Sequence, residues 1–292
     1  MLLNNCTQKQ QGIIWFCIAG FLSVVINLNM RYLNQTFGYH PFQLVFSYSL
    51  LGAALYLPAI MKGRMSFATT RAKLYNIRAL LEIGGFVFMF FALSQIPFAV
   101  LVSITFTTPL IGTIFAVYML GENMNAQKII GLVVGFVGII VVSNPFGAKF
   151  SMAYLLPVLA ACCFAMCGVL IRIMSRTEPP TRIAARTLAM MALFSLPLAL
   201  TEMRLPDANH LPYFLAIAGL VALVQFAVGN ALQKIELTVA HPFMFLNLIW
   251  SSSFAWLLFD EKIDIITIFG AIIIIVGIVI NSYNFNSIAH SK

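Results

Sequence analysis

Apolar residues along this chain come in blocks of about twenty, the length that crosses a hydrocarbon layer of about 30 Å at about 1.5 Å per helical residue. Charged residues and turn formers punctuate the blocks. The punctuation predicts spans near 12–30, 41–61, 74–94, 97–119, 127–144, 151–173, 182–200, 211–233, 238–259 and 264–282. A large soluble core would show shorter amphipathic segments between polar loops. Gln95-Ile96-Pro97 separates the third block from the fourth, and Asp260 to Asp264 separates the last two, so these neighbours are expected as antiparallel hairpins. The expected fold is all-α integral membrane, with ten transmembrane helices.

An internal repeat organises those helices. Shifted by 139 positions, residues 41–143 overlie 180–282 without a gap. Pro41 falls on Pro180, Leu57-Pro58 on Leu196-Pro197, Ala92-Leu93 on Ala231-Leu232, and Phe115-Ala116 on Phe254-Ala255. Glu122 falls on Glu261, Gly131 on Gly270, and Val137-Gly138-Ile139 on Val276-Gly277-Ile278. Apolar composition raises chance identity, but not at Pro, Gly and Glu together in one register. The halves are expected at 1–145 and 146–292. Five helices each is an odd number, so the second repeat enters the membrane from the opposite side. Inverted repeats of this kind build alternating-access carriers, with the substrate near the midplane between them.

Composition agrees. The 292 residues are 61% hydrophobic and 9% charged, with mean hydropathy +0.95, where a soluble domain carries about 25% charged residues. The net charge of +8 would suggest nucleic acid or anionic partners, but the charges flank the apolar blocks and form no run or stripe. With the N-terminus inside, the inner side receives Lys9, Lys62, Arg64, Arg71, Lys73, Arg78, Lys128, Arg172, Arg176, Arg182, Arg186, Lys234 and Lys292. The outer side receives only Arg31, Lys149, Arg204 and Lys262. Both termini are therefore expected in the cytoplasm. The first block continues to spanning length with no small-residue cleavage site, so it reads as a helix and not as a signal peptide. The five cysteines form neither a disulfide framework nor a paired metal motif.

The most specific local signature closes the fourth and ninth blocks. It reads Phe115-Ala116-x3-Leu120-Gly121-Glu122, then Phe254-Ala255-x3-Phe259-Asp260-Glu261, each followed by spaced glycines. On these residues the chain resembles the drug/metabolite transporter superfamily in its EamA-type ten-helix form. That family carries a Pro in the fourth helix of each half, a terminal Glu and a Gly-punctuated fifth helix. Here Pro109, Glu122, Gly131, Gly135 and Gly138 match in the first half, and Glu261, Gly270 and Gly277 in the second; Leu248 stands where a second Pro would be. The resemblance implies a transporter fold over nearly the whole chain. It leaves the cargo open among amino acids, nucleotide-like compounds, sugars and drugs.

Glu122 and Glu261 stand at membrane borders on tight turns, where a carboxylate accepts bonds from the free N–H groups opening the next helix. Gly131, Gly138, Gly270 and Gly277 are expected to let a hairpin partner approach closely. Glu82 differs, because it lies about two turns inside the third block, where an acid costs about 2.5–3.5 kcal/mol. It either pairs with Arg78 one turn back or lines the path, binding an amine or taking a proton. Arg186 either holds a carboxylate or snorkels to the interface. A midplane site is expected from the polar residues Asn27, Thr108, Gln225, Asn230 and Asn247, the aligned Thr108 and Asn247 standing at corresponding depths of the two repeats, with Glu82, and from the aromatic side chains Tyr48, Phe106 and Trp250.

No GxSxG, HExxH or Walker-type loop is present, and the four histidines are scattered near borders. An enzyme, a metal site, a cofactor and ATP hydrolysis within this chain are not expected. The reading is a secondary carrier of a small polar metabolite in a bacterial inner membrane. Following the resemblance, amino-acid-like solutes and S-adenosylmethionine stand first as cargo. A passive channel or facilitator, and an exporter of amphipathic compounds, are the alternatives. Proton coupling, exchange and uniport fit equally, and direction and oligomeric state are not legible.

Overall fold

The computed structural model describes residues 7–93, 95, 101, 104–143, 152–259 and 265–282. No strand occurs among them. Six helices are long and apolar enough to cross a membrane: Gln8–Phe37, Pro41–Met61, Ala72–Ala92, Met152–Ser175, Pro180–Leu200 and Ala208–Lys234. Shorter apolar helices lie at Thr108–Leu120, Ala126–Val141, Leu237–Ser251 and Ile268–Ile280. Each falls largely within one of the ten expected windows. Large apolar side chains such as Phe21, Leu50, Leu80, Leu193 and Ile272 stand exposed on the helix surfaces. Such a surface suits hydrocarbon and not water.

Local chemistry sets the helix ends. Helix α1 (Gln8–Phe37) begins at a capping box, in which Gln10 N–H donates to Thr7 Oγ1 and Thr7 N–H to Gln10 Oε1. It ends at Gly38, whose φ of 71° is the left-handed stop. The helix is therefore longer than the apolar window 12–30, because the caps and not the hydropathy fix its length. Helix α2 (Pro41–Ala54) is capped by His40 and stops before Pro58; a short α3 (Leu57–Met61) follows. The repeat-related Pro197 is instead carried inside a continuous helix.

Helices α4 (Ala72–Leu93), α5 (Thr108–Leu120), α6 (Ala126–Ser143), α7 (Leu155–Ser175), α8 (Pro180–Leu200) and α9 (Leu211–Lys234) follow. Pro109 sits in the first turn of α5, where its missing N–H is harmless, so it opens that helix and does not kink its middle. The ninth window is broken too. It runs as α10 (Leu237–Ala240), a 3₁₀ segment His241–Phe245 and α11 (Leu246–Phe259), with Pro242 at the break. The Leu248 position does not preserve a straight helix, because Pro242 interrupts it six residues earlier. Helix α12 (Ile265–Ser282) is the last.

The chain forms two compact units that cut across the repeats. One comprises Met1–Phe88 with Met166–Ile235, the other Met89–Ala165 with Glu236–Lys292. In the first unit α1 packs along α9, and α2 along α8 and α9. Their core gathers Leu33, Leu44, Tyr48, Ala79, Leu188, Met191 and Ile217. In the second unit α6 packs along α12. A Cβ on Gly277 would lie 2.6 Å from Gly135 N, and one on Gly138 would lie 2.8 Å from Gly270 O. These glycines were expected to serve a hairpin partner. They serve each other across the two repeats, because only backbone meeting backbone allows so close an approach.

Candidate functional site

Beyond Lys73 and Asn76 near its start, helix α4 is apolar apart from one turn deep in the first unit. There Arg78 and Glu82, one turn apart, form an ion pair with Nη2 3.2 Å from Oε2, their side chains 3% and 16% exposed. The guanidinium also reaches two other helices: Nη2 donates to Gln225 Oε1 of α9 at 2.9 Å, and Nη1 donates to Thr187 Oγ1 of α8. Cys167 Sγ of α7 donates to the Arg78 carbonyl at 3.5 Å. Tyr48 of α2 is buried in the adjoining core with Ala79 of α4. Arg78, read from sequence only as a partner for Glu82, is thus the hub. It joins Glu82 and Gln225, both expected at the site, to Thr187. Thr187 was missed, although in the register of 139 it overlies Tyr48.

Two hydrogen-bonding groups of the cluster are left over. Arg78 Nε and Glu82 Oε2 are both buried without a hydrogen-bond partner, the Glu82 contact being ionic but not aligned. Buried groups of this kind are uncommon and call for an explanation.

The other expected site residues are dispersed. Asn27 stands exposed on α1. Asn230 Nδ2 donates to Phe226 O of its own helix at 3.2 Å. Thr108 Oγ1 donates to Thr105 O at 2.6 Å and Ser251 Oγ to Leu248 O at 3.0 Å, so these hydroxyls are satisfied locally. Phe106, Thr108, Asn247 and Trp250 belong to the second unit, where Asn247 Oδ1 is buried without a partner.

Two further polar clusters close the first unit. Glu178, 5% exposed between α7 and α8, accepts from Tyr75 Oη at 2.8 Å and from Thr69 Oγ1, with Arg182 Nη1 3.7 Å away. Arg182 Nε donates to Ser66 O at 2.9 Å. Arg186 lies over the rings of Phe67 and Tyr75, 4.8 and 5.2 Å from their centroids, and donates to Phe67 O. Two rings and a carbonyl thus engage its guanidinium. The other cluster follows α1: Tyr39 Oη lies 2.8 Å from His210 Nδ1 and accepts from Asp207 N, while Gln43 bonds both the N–H and the carbonyl of Arg204.

In the second unit Glu122 is buried and accepts from Leu237 N and Thr238 N, each at 2.9 Å. The expected capping chemistry is present, but on the helix opened at Leu237 of the second half. Asn125 Oδ1 caps α6, accepting from Lys128 N at 2.9 Å. Lys128 Nζ pairs with Glu236 at 2.8 Å. His241 lies 2.8 Å from Thr113 Oγ1, against Gly112. Glu261 lies outside the described residues. No cluster of three metal-ligating residues occurs among those described.

Comparison with known proteins gives a consistent result. The chain matches the EamA-like transporter family twice, over residues 10–144 and 151–283. It is 27% identical over 265 residues to the S-adenosylmethionine uptake transporter of Rickettsia prowazekii (strain Madrid E), 90% of each chain. It is 25% identical over 253 residues to the riboflavin transporter of Vibrio cholerae serotype O1, 85% of each. To the pseudopaline exporter of Pseudomonas aeruginosa (strain UCBPP-PA14) it is 22% identical over 270 residues, 92% of this chain and 94% of that one. A solved crystal structure at 16% identity superposes with TM-score 0.81 over 97% of this chain and 99% of the other, which shows a shared fold.

Proposed function

The chain belongs to the EamA-like transporter family, and from that premise we propose that it is a secondary carrier of an amino-acid-like metabolite, with S-adenosylmethionine the first candidate. The observation that carries this reading is the Arg78–Glu82–Gln225–Thr187 cluster, held inside helices long enough to span a membrane. A buried ion pair is poor scaffolding, since well-packed apolar residues serve as well or better. Opposite charges in an apolar surround do suit a cargo that bears both signs. The relatives named for S-adenosylmethionine cover nine-tenths of the chain and support the same cargo.

The carrier works by alternating access between two inverted repeats, 1–145 and 146–292. Both termini face the cytoplasm, in the inner membrane of a bacterium. In the second unit Phe106, Thr108, Asn247 and Trp250 remain the proposed substrate contacts, with Asn247 Oδ1 the polar atom left without a partner. A second reading, export of an amphipathic metabolite, draws on the pseudopaline exporter. Purified protein in proteoliposomes, loaded and unloaded, distinguishes these. Saturable uptake of labelled S-adenosylmethionine with counterflow is the expected result. Uptake that rises linearly with concentration without counterflow indicates a passive pore, and riboflavin flux in place of S-adenosylmethionine flux replaces the cargo.

A further inference from the structure

The repeat itself shows what the charged turn of α4 is not for. In the register of 139, Arg78 and Glu82 overlie Ile217 and Val221 of α9, both apolar and buried. The second half therefore builds the same stretch of the same helix without charge. Packing does not require the ion pair, and burying it is costly. Within the pair, Arg78 Nε and Glu82 Oε2 remain without hydrogen-bond partners although both are buried. The guanidinium is steadied by Thr187 and Gln225 from two other helices, so it is held in place independently of Glu82.

We infer that Arg78 and Glu82 are the two poles of the substrate site, Arg78 receiving the carboxylate and Glu82 the ammonium of an α-amino-acid head group. A guanidinium fork matches a carboxylate in two parallel hydrogen bonds, and a carboxylate matches an ammonium. In an α-amino acid the two charged groups are carried on one carbon. To admit such a head group between the poles, the Glu82 side chain must turn away from Nη2. When the cargo leaves, the poles close on each other at the 3.2 Å seen here. The site is thus free of net charge both empty and holding a zwitterionic head. A carrier built this way returns empty without a coupling ion.

This inference rests on the carrier reading above, and the test separates the two. Proteoliposomes carry out uptake of labelled S-adenosylmethionine against methionine, methionine methyl ester and N-acetylmethionine as competitors. Wild type is expected to prefer methionine over either blocked compound by about tenfold or more. Glu82→Gln is expected to lose the preference over N-acetylmethionine and keep that over the ester. Glu82→Asp restores the preference over N-acetylmethionine, and an unchanged melting temperature shows that Glu82→Gln is folded. Blocked compounds that compete as well as methionine, or a Glu82→Gln protein that keeps full amine preference, overturn the inference and leave the carrier standing. Wild type that moves neither S-adenosylmethionine nor methionine overturns both.

Discussion

Tyr39 and Glu178 stand at the same register of the two repeats and do the same mechanical work with different chemistry. Each follows the first helix of its half and receives the loop that precedes the third helix of the other half. Tyr39 meets His210 and Asp207 ahead of α9; Glu178 meets Thr69, and Tyr75 in the first turn of α4. The next step of the register repeats the device, for Gln43 holds the backbone of Arg204 and Arg182 holds the backbone of Ser66. The two clasps close opposite ends of the first unit. Lys234 bonds Gln11 at the start of α1, and Gln233 bonds the Glu178 carbonyl, whereas Tyr39 follows the end of α1. One end is tied by a buried carboxylate and arginines, the other by a phenol and an imidazole. Duplication has preserved the place of the clasp and let its chemistry diverge.

The ionic clasp should be the more fragile one. Glu178→Ala strands the hydroxyls of Thr69 and Tyr75 and removes a buried charge from Arg182. A loss of about 2–4 kcal/mol is expected, read as a lower melting temperature in detergent. Faster amide exchange should accompany it in residues 66–75, with residues 204–210 unchanged. Tyr39→Phe removes one hydroxyl that serves His210 and Asp207, so a smaller loss of about 1–2 kcal/mol is expected, with exchange rising in residues 204–210. The two losses should add in the double variant within about 0.5 kcal/mol, because the clasps share no partner; a larger departure means that the ends communicate. Arg186→Lys keeps the charge but gives up the stack on Phe67 and Tyr75. It should cost about 0.5–1 kcal/mol, seen as a small melting shift with no counterpart at the Tyr39 end.

What the chain's own letters disclosed was local need. The apolar windows, the prolines and the glycine spacing each state that a stretch must be buried, broken or closely approached. They do not state by what. Glu122 on a tight turn announced a carboxylate seeking N–H donors, yet the donors are those of Leu237 and Thr238, 115 and 116 residues away. Gly138 and Gly277 announced a close neighbour, and each found a glycine-bearing helix of the other half. Arg78 looked like a bystander because its i+4 partner was visible, and Thr187 and Gln225 were not. The hydroxyl of Thr108 drew attention as polar in an apolar field, where a bond to the carbonyl three residues earlier suffices. Pairing across the repeats is a property of the assembled bundle, and only the register of 139 hinted at it.

The interleaving of the units also sets a timetable for biogenesis. Arg78 emerges from the ribosome 109 residues before Thr187 and 147 before Gln225. At typical synthesis rates of about 5–20 residues per second, that guanidinium waits several seconds for its last ligand. During the wait Glu82, one turn away, is the acid within reach, so the newly inserted α4 carries its own counterion until the second half arrives. A chain halted at position 145 could not complete either unit, since each draws residues from beyond it. Assembly is thus deferred to the last helices made, and quality control in the membrane must tolerate a half-built protein that is unfinished but not misfolded.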